Sequence, residues 1–371
     1  MAEIELEYLT KAFRAGVTAV DRLQLHVAAG ELVVLVGPSG CGKTTTLRMI
    51  AGLERPTSGE VKIGGRDVTQ LAPRKRNLAM VFQDAALMPH LDVQQNLAFG
   101  LLLGNVSKPE VARRVNDVSS LLDLRELLAR RPHELSGGQR CRVALGRALV
   151  HDADCLLLDE PLSYLDAEAR RQLRERIREV HRQTGRTMIY VTHDQEEAMA
   201  LGQRIAVLRD GVLQQFAAPD DVYHRPANRF VASFIGGAAM NFVAGNLRCD
   251  ERGVTFECDG FKWPIPKTLR AQMPEEIHGP VALGFRPESI RLLPSGQHGT
   301  GNFGVVVKIH ASQLLGDRVD VHLTASWCKS LRARVAGAQV FAVGDQVELV
   351  LDADDLYFFA ANESGGNLLN G

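Results

Sequence analysis

The sequence lacks the features that direct a chain to nucleic acid or into a bilayer. Its 371 residues carry a formal net charge of −1, and only 6% are aromatic. No overall electrostatic field therefore attracts nucleic acid or an anionic membrane. No apolar run approaches the roughly 18 residues that a membrane-spanning helix needs. The basic cluster Arg74-Lys75-Arg76 is local, and we interpret it as a solvated loop.

Signals for secretion or metal binding are also missing. The six cysteines form no CxxC pair and no metal-ligand spacing with histidine, which indicates free thiols in a reducing compartment. The first residues, Met1 to Glu5, are acidic and alternating, without the basic start and apolar core of a secretion signal. We therefore expect the chain in the cytoplasm.

The length and the change of pattern along the chain predict two domains. A chain of 371 residues is too long for one ordinary core. Strand and helix patterns alternate up to the small residues at Gly236-Gly237, and beyond them short strands are separated by glycine, proline and aspartate. We predict an α/β domain over residues 1–236, with a helical insert at about 88–150, and a β-rich, barrel-like domain over 237–371.

The most informative segment is a glycine-rich loop between an apolar strand, Glu31 to Val36, and a helix that opens at Thr44. Such a loop can turn its N–H groups toward a phosphate at the positive end of the helix. Lys43 can then reach the β- and γ-phosphate oxygens, and the Thr44 hydroxyl can bind Mg²⁺. The pattern predicts a site for a nucleoside triphosphate. Its residues are Gly37, Pro38, Ser39, Gly40, Cys41, Gly42, Lys43, Thr44 and Thr45. Because Lys43 and the helix N-terminus adjoin Cys41, we expect a lowered thiol pKa, alkylation of Cys41 and protection by nucleotide.

Polar residues at the ends of other predicted strands supply the remaining parts of a phosphoryl-transfer site. Asp159 and Glu160 follow an apolar run, His193 follows another, and Gln83 ends a third. The carboxyl ends of strands in an open α/β sheet are where ligands bind. Asp159 can hold Mg²⁺ through water, and Glu160 can accept the proton of an attacking water. His193 can donate a hydrogen bond to the γ-phosphate, and the Gln83 amide can contact both Mg²⁺ and the water.

Two further features leave alternatives open. Phe13 precedes the second strand and can stack on adenine, although an aromatic residue at a strand margin is as often part of the core. The run Leu135 to Gln139 predicts a second helix N-terminus suited to an anion, whereas a γ-phosphate normally needs only one. One explanation is that this second helix N-terminus binds the phosphate held by a second copy of the protein.

Together these residues resemble the nucleotide-binding subunits of ABC transporters over nearly the whole of the first 235 residues. The resemblance assigns Gly37–Thr44 to the Walker A loop, Cys155–Asp159 to Walker B with Glu160 as catalytic base, Leu135–Gln139 to the signature sequence, Gln83 to the Q-loop, Ser163–Asp166 to the D-loop, His193 to the switch histidine and Phe13 to the A-loop position.

This resemblance implies a P-loop NTPase core with an antiparallel flank and a head-to-tail homodimer that closes on two ATP molecules. Each ATP then lies between the Walker A loop of one copy and residues of the other copy, namely Ser136, Gly137, Gly138, Gln139 and Asp166. The segment Asp84–His90 is expected to bind one of two integral-membrane permeases, which also receive solute from an extracytoplasmic binding protein. The subunit itself would be peripheral, on the cytoplasmic face of the cell membrane, and would bind no nucleic acid.

The tail narrows the resemblance to importers of the carbohydrate-uptake group. Its runs Phe230–Gly236, Met240-Asn241 and Leu283–Glu288 are similar to theirs, which implies an all-β, OB-like regulatory domain of the TOBE type. The ATPases of maltose and sn-glycerol-3-phosphate importers are the nearest in kind. The expected solute is therefore sn-glycerol-3-phosphate or a sugar such as maltodextrin.

Some positions depart from the family pattern. Cys141 replaces a common glutamine in the signature helix, and Tyr164 replaces a common asparagine in the D-loop, where the two copies communicate. Asp84 and Met88 suggest an altered permease surface, and Ala360 stands where the tail commonly has aspartate.

Two other functions are compatible with such a chain. One is a regulatory or interaction subunit with weak ATPase activity. The other is a soluble ABC ATPase acting on nucleic acid or ribosomes, although such proteins usually carry two fused cores or a coiled-coil insert.

Overall fold

A computed structural model describes residues 1–13, 16–250, 253–274, 278–294, 303–337, 341–362 and 365–369 of the chain. The chain forms two compact units, residues 1–219 and residues 220–371. The parts of the expected C-terminal domain at 251–252, 275–277, 295–302, 338–340, 363–364 and 370–371 lie outside the described residues.

The first unit contains two sheets. Its strands are β1 (Ile4–Ala12), β2 (Thr18–Val27), β3 (Leu32–Val36), β4 (Ser58–Ile63), β5 (Arg66–Asp67), β6 (Leu78–Val81), β7 (Cys155–Asp159), β8 (Thr187–Thr192), β9 (Arg204–Arg209) and β10 (Val212–Ala217). The larger sheet has the order β10-β9-β3-β8-β7-β6, and its strands are parallel except β10, which runs antiparallel to β9. The smaller, antiparallel sheet has the order β2-β1-β4-β5.

The burial pattern explains why the chain folds into these two sheets. Every residue of β3, β7 and β8 is buried, as expected for apolar strands that are covered on both faces. In β1 and β2 buried and more exposed residues alternate, which is typical of a sheet that faces solvent on one side. The predicted parallel core with an antiparallel flank is confirmed.

The described residues of this unit form the helices α1 (Lys43–Ala51), α2 (Val93–Leu103), α3 (Lys108–Leu121), α4 (Gly137–Leu149), α5 (Ala167–Thr184) and α6 (Gln195–Leu201). Helices α2, α3 and α4 pack against one another and come between β6 and β7 in the chain, as the predicted helical insert does. Val111, Val115 and Val118 form the buried side of α3, so their helical spacing marks its packing face.

The basic cluster at 74–76 is only partly the solvated loop that we expected. Arg74 and Lys75 are exposed, but Arg76 is buried. Its guanidinium donates hydrogen bonds to the carbonyl oxygens of Met49 (2.7 Å) and Ile50 (2.9 Å) at the end of α1. The last carbonyl groups of a helix have no partner within the helix, so a buried arginine can satisfy them.

The second unit is mostly antiparallel sheet. Its elements are α7 (Pro219–His224, which begins at the unit boundary), α8 (Arg229–Phe234), β11 (Asn241–Asp250), β12 (Gly253–Cys258), β13 (Phe261–Pro264), α9 (Lys267–Arg270), β14 (Gly279–Phe285), β15 (Arg291–Pro294), β16 (Phe303–Leu314), β17 (Arg318–Ala325), β18 (Cys328–Ala336), β19 (Gln346–Leu351) and β20 (Leu356–Ala360). Two five-stranded sheets, β13-β12-β11-β14-β20 and β15-β19-β16-β17-β18, enclose an apolar core that includes Phe256, Phe285 and Phe358. The expected all-β domain is confirmed.

The boundary between the two units comes earlier in the chain than the expected joint at Gly236. The physical reason is Arg286, which is buried and donates hydrogen bonds to the carbonyl oxygens of Tyr223 (2.6 Å) and Ile235 (2.8 Å). Its guanidinium also lies 3.7 Å from the centre of the Tyr223 ring. Tyr223 of α7 and Ile235, just after α8, are thus bonded to a residue that directly follows β14 in the second unit. The small residues at Gly236-Gly237 suggested a joint in the sequence, but they gave no sign of this contact between distant residues.

Candidate nucleotide site

The loop between β3 and α1 has the backbone shape that the sequence predicts. Gly40 and Gly42 adopt positive φ angles of 81° and 101°, which side-chain-bearing residues rarely adopt. A Cβ atom on Gly42 would lie 2.3 Å from the Ala19 carbonyl oxygen, so this glycine is also required for space. No side chain caps the N-terminus of α1. Its first N–H groups are therefore left without a side-chain partner, as an anion site requires.

Lys43 is buried and lies against its own loop. Its ammonium group donates hydrogen bonds to the carbonyl oxygens of Gly37 (2.8 Å) and Pro38 (2.9 Å). These bonds hold the positive charge within the loop in which we expect the phosphates. The Lys43 side chain is thus held by contacts within its own loop.

Two oxygens that suit Mg²⁺ lie together beside the loop. The Thr44 hydroxyl donates a hydrogen bond to a carboxylate oxygen of Asp159 at 3.0 Å. Burial raises the pKa of the Asp159 carboxyl, while the hydrogen bond from Thr44 lowers it. A hydroxyl and a carboxylate are ligands that Mg²⁺ prefers, and a bound cation would offset the cost of burying the carboxylate. The two residues therefore fit a divalent cation.

Glu160 and His193 meet at the ends of neighbouring strands. The His193 Nδ1 atom lies 2.9 Å from a Glu160 carboxylate oxygen. Glu160 has a left-handed backbone with φ of 45°, and its N–H group donates to the Val191 carbonyl oxygen at 3.0 Å. A non-glycine residue in this region costs about 1 to 2 kcal/mol. Such strain often occurs at functional sites, and here it accompanies the pairing of the two predicted catalytic side chains.

Gln83 joins this pair through Ser163. Its amide donates a hydrogen bond to the Ser163 hydroxyl at 3.4 Å, and that hydroxyl donates to the Glu160 carbonyl oxygen at 3.0 Å. The structure therefore connects three of the segments that the sequence marked, those at Gln83, Glu160 and Ser163. The contact of Gln83 with Mg²⁺ stays a prediction.

Phe13 lies just after β1 and is exposed, with 43% of its surface accessible. The Lys11 ammonium lies 5.1 Å from the centre of its ring. This exposure argues against the alternative that Phe13 belongs to the core. Stacking on adenine stays a prediction.

The second helix N-terminus is capped by its own residues. The Ser136 hydroxyl accepts a hydrogen bond from the Gln139 N–H group (3.3 Å), and the Gln139 side-chain oxygen accepts one from the Ser136 N–H group (2.9 Å). Asp166 similarly accepts from the Ala169 N–H group at 2.9 Å and caps α5. In a single chain three of the residues predicted to contact ATP across a dimer, Ser136, Gln139 and Asp166, therefore serve as helix caps.

The expected lowering of the Cys41 thiol pKa is wrong, whereas its alkylation and its protection by nucleotide stay predictions. Its thiol is buried, and this burial raises its pKa above the ordinary value, although Lys43 acts in the opposite direction. Sequence adjacency identified the neighbouring charge but not the loss of solvent around the sulfur.

Comparisons with known proteins agree with this geometry. The ABC transporter family model matches residues 20–163, and the TOBE domain model matches residues 283–359. The chain is 42% identical to the ABC transporter ATP-binding protein YcjV of Escherichia coli (strain K12) over 363 residues, which cover 97% of this chain and 98% of that protein. This chain belongs to the ABC transporter ATP-binding proteins. As a member of this family of ATPases it binds nucleotide and hydrolyses ATP.

Other ABC proteins resemble it as well. The sn-glycerol-3-phosphate import ATP-binding protein UgpC of Yersinia enterocolitica is 43% identical over 366 residues, covering 98% of this chain and 99% of that protein. A dimeric structure of the ATP-binding cassette MJ0796, in a post-hydrolysis state with ADP and Pi, superposes with a TM-score of 0.53 at 30% identity. It covers 58% of this chain and 98% of that chain.

Sequence reasoning missed two residues that shape the segment after the Q-loop of this ABC protein. Asn96 is buried, and its side chain bonds the backbone of Met88, Leu91 and Asp92. Arg147 of α4 donates to the carbonyl oxygen of Ala86 at 2.5 Å. A polar residue among the apolar positions of α2 was the one available signal for Asn96, and nothing local marked Arg147.

No helix in the described ranges combines the length and the apolar composition needed to cross a bilayer.

Proposed function

We propose that this chain is the ATP-hydrolysing subunit of a solute importer and works as a homodimer with two permeases at the cytoplasmic face of the cell membrane. The observation that carries the proposal is the Glu160–His193 pair, 2.9 Å apart, at the strand ends next to the ordered Lys43 loop. A carboxylate held in this way is suited to accept a proton from an attacking water.

In the proposed mechanism each residue has one task. The loop amides and Lys43 bind the phosphates, and Glu160 accepts the proton of water. His193 orients the Glu160 carboxylate and contacts the γ-phosphate. Thr44, Gln83 and Asp159, the last through water, would hold Mg²⁺, which supplies positive charge at the phosphate oxygens when bound. Gln83 can report the state of this site because it bonds Ser163, which in turn bonds Glu160.

A second copy would complete the site. Ser136 to Gln139 and Asp166 would contact the ATP of the partner subunit, and Phe13 would stack on adenine. Support comes from the uncapped α1 loop, which leaves room for a phosphate, and from the MJ0796 cassette, which is dimeric. Closing and reopening of the two copies would drive the permeases.

The segment Asp84–His90 is the proposed contact with a permease. It includes two left-handed alanines, Ala85 and Ala86, and is held by Arg147 and Asn96. A cavity of 260 Å³ beside it is lined by Phe82 and Ala85 together with residues of β6, α2 and α4. An extracytoplasmic binding protein would deliver the solute to the permeases.

We further propose sn-glycerol-3-phosphate as the solute, with a sugar such as maltodextrin as the second candidate. Support comes from the UgpC relatives, which are 42 to 43% identical over nearly the full chain. Stimulation of ATPase activity in the assembled transporter by sn-glycerol-3-phosphate, compared with maltodextrin, tests this choice.

The mechanism is tested by Glu160→Gln, with Glu168→Gln as a matched control on the exposed face of α5. We expect Glu160→Gln to bind ATP, to remain dimeric on gel filtration with ATP and Mg²⁺, and to lose turnover, because the amide cannot accept the proton. Glu168→Gln should behave like the parent protein. Unchanged hydrolysis by Glu160→Gln would defeat the role of Glu160. A parent protein with almost no activity even when bound to its permeases would favour the regulatory alternative.

A further inference from the structure

A buried carboxylate, Glu197 of α6, lies behind the turn that carries His193. Only 4% of its surface is accessible. One of its oxygens accepts hydrogen bonds from the Tyr190 hydroxyl (2.9 Å) and the Thr192 hydroxyl (2.8 Å). Burial raises the pKa of this carboxyl, while the two hydroxyl donors lower it. A buried carboxylate that accepts two hydrogen bonds is held in one position by them.

The same hydroxyl of Thr192 fixes the turn itself. It accepts a hydrogen bond from the Asp194 N–H group at 3.0 Å, so Thr192 and Asp194 are bonded across His193. Asp194 in turn accepts from the N–H groups of Glu196 (2.8 Å) and Glu197 (3.1 Å). The backbone on both sides of His193 is thereby held to α6.

Arg170 on α5 connects this turn to the D-loop. One guanidinium nitrogen donates to the Leu165 carbonyl oxygen at 3.1 Å. Another lies 3.5 Å from an Asp194 carboxylate oxygen, and Nε lies 3.7 Å from a Glu197 carboxylate oxygen. The planar guanidinium directs its donors to these three separate groups in a fixed fork, whereas the ammonium of a lysine is a compact charge on a flexible stem.

Two neighbouring arginines of α5 differ from Arg170 in their partners, although Arg176 also leaves the helix face and bonds Leu121 and Asp123. Arg171 and Arg182 form ion pairs with Glu168 and Glu179 on their own helix, as expected for a solvated helix face. Arg170 instead reaches another loop and another helix. Its Nε atom is buried and makes no hydrogen bond within the described residues, since Glu197 lies just beyond bonding distance.

We propose that Arg170 is a positioning residue for ATP hydrolysis, which ties the D-loop at Leu165 to the turn of His193 through Asp194 and Glu197. The inference rests on the proposed function, because it assumes that His193 orients Glu160. A second copy that contacts the D-loop would act on the Glu160–His193 pair through this arginine, and ATP binding at the Walker A loop would not need it.

The test compares Arg170→Met with Arg171→Met in the full-length protein. We expect Arg170→Met to lower kcat between about 10- and 100-fold, because a small misplacement of a catalytic group has effects of this size. Its KM for ATP and its affinity for a fluorescent ATP analogue should stay within about twofold of the parent. Arg171→Met should match the parent in all three. Equal kcat in the two variants would overturn the proposal, as would a fall in ATP affinity equal to the fall in kcat.

Arg170→Lys serves as a conservative variant and as a safeguard if Arg170→Met does not fold. Lysine keeps the charge but contacts fewer groups, so we expect a kcat between those of the parent and Arg170→Met. A kcat equal to that of the parent would overturn the need for three contacts.

Combining Arg170→Met with Glu197→Gln should lower kcat by less than the product of the single effects, since both act in one network. Multiplicative effects would count against the coupling.

The two proposals fail in different ways. Full turnover in Glu160→Gln contradicts the proposed mechanism. Full turnover in Arg170→Met, together with an inactive Glu160→Gln, contradicts only the positioning role.

Discussion

The N-termini of α1 and α4 are both predicted to bind phosphate, but the structure prepares them differently. Helix α1 begins after a glycine-rich loop and has no side-chain cap, so its first N–H groups are without a side-chain partner. Helix α4 is closed by the reciprocal bonds of Ser136 and Gln139. In a single chain the N-terminus of α1 can therefore accept a ligand directly, whereas N–H groups at the start of α4 are already bonded to side chains.

This difference has a physical cause in the residues that each helix end can use. Gly42 adopts a backbone conformation that residues with side chains rarely adopt, and as a glycine it leaves the N-terminus of α1 without a side-chain cap. The Ser136 hydroxyl satisfies the Gln139 N–H group, and the Gln139 side chain satisfies the Ser136 N–H group. A phosphate that binds these two N–H groups must therefore displace both side chains, whereas one that approaches α1 need not displace a side-chain cap. We expect binding at the loop to come first and closure on α4 second.

Of the changes that test this difference between α1 and α4, Gly42→Ala is expected to have the largest effect. Its Cβ atom would lie 2.3 Å from the Ala19 carbonyl oxygen, in addition to the strain of a positive φ angle. We expect loss of ATP binding and a clear fall in the thermal unfolding midpoint. Gly40→Ala is the control, because no atom lies within 4 Å of its Cβ position, so strain alone, about 1 to 2 kcal/mol, should remain. Equal effects of the two changes would contradict a steric role for Gly42.

Ser136→Ala should have an intermediate effect at the other helix end. It removes a cap worth about 1 kcal/mol in unfolding free energy and, by the proposed function, a contact to the ATP of the partner subunit. We expect ATP binding to the single chain to persist and ATP-induced dimerisation to weaken, which denaturant unfolding and light scattering measure separately. Ser107→Ala is a matched control, since Ser107 begins α3 without a side-chain cap bond. Dimerisation at parental strength in Ser136→Ala would contradict the contact across the dimer.

The smallest effect concerns the reactivity of Cys41, which is buried in the loop before α1. Because burial raises the pKa of this thiol, less thiolate is present at a given pH than for an ordinary cysteine. Iodoacetamide should therefore label Cys41 more slowly than the exposed Cys249 at pH 7, and labelling of Cys41 should increase as the pH rises beyond 9. Peptide mass spectrometry measures both rates. Faster labelling of Cys41 at pH 7 would show that the loop opens in solution.

The sequence was sufficient wherever function depends on local pattern. Glycines at fixed spacing, an apolar strand before Lys43, and polar residues directly after buried strands predicted the loop and brought Asp159, Glu160 and His193 to one sheet edge. These features are decided within a few residues. The strain at Glu160 was not predictable, because its φ angle depends on a hydrogen bond to Val191 on the neighbouring strand.

Features that depend on burial or on partners distant in the chain could not be predicted from the sequence. Lys43 next to Cys41 suggested a reactive thiol, but packing decides whether water surrounds the sulfur. Arg76 looked like part of a solvated basic run, and Arg170 like part of an ion-paired helix face, yet each binds groups far away in the chain. For a long polar side chain, sequence pattern gives the charge and leaves the partner open.

The buried Arg286 also defines how this protein can be recombined with its relatives. Its two carbonyl partners belong to Tyr223 and Ile235, so a junction at Gly236 would place the guanidinium and these two carbonyl groups in segments from different parent proteins. A junction before Asp220 keeps all three residues in one segment. A chimera that exchanges the β-rich domain should therefore be more stable when it is joined at Pro219 than when it is joined at Gly236.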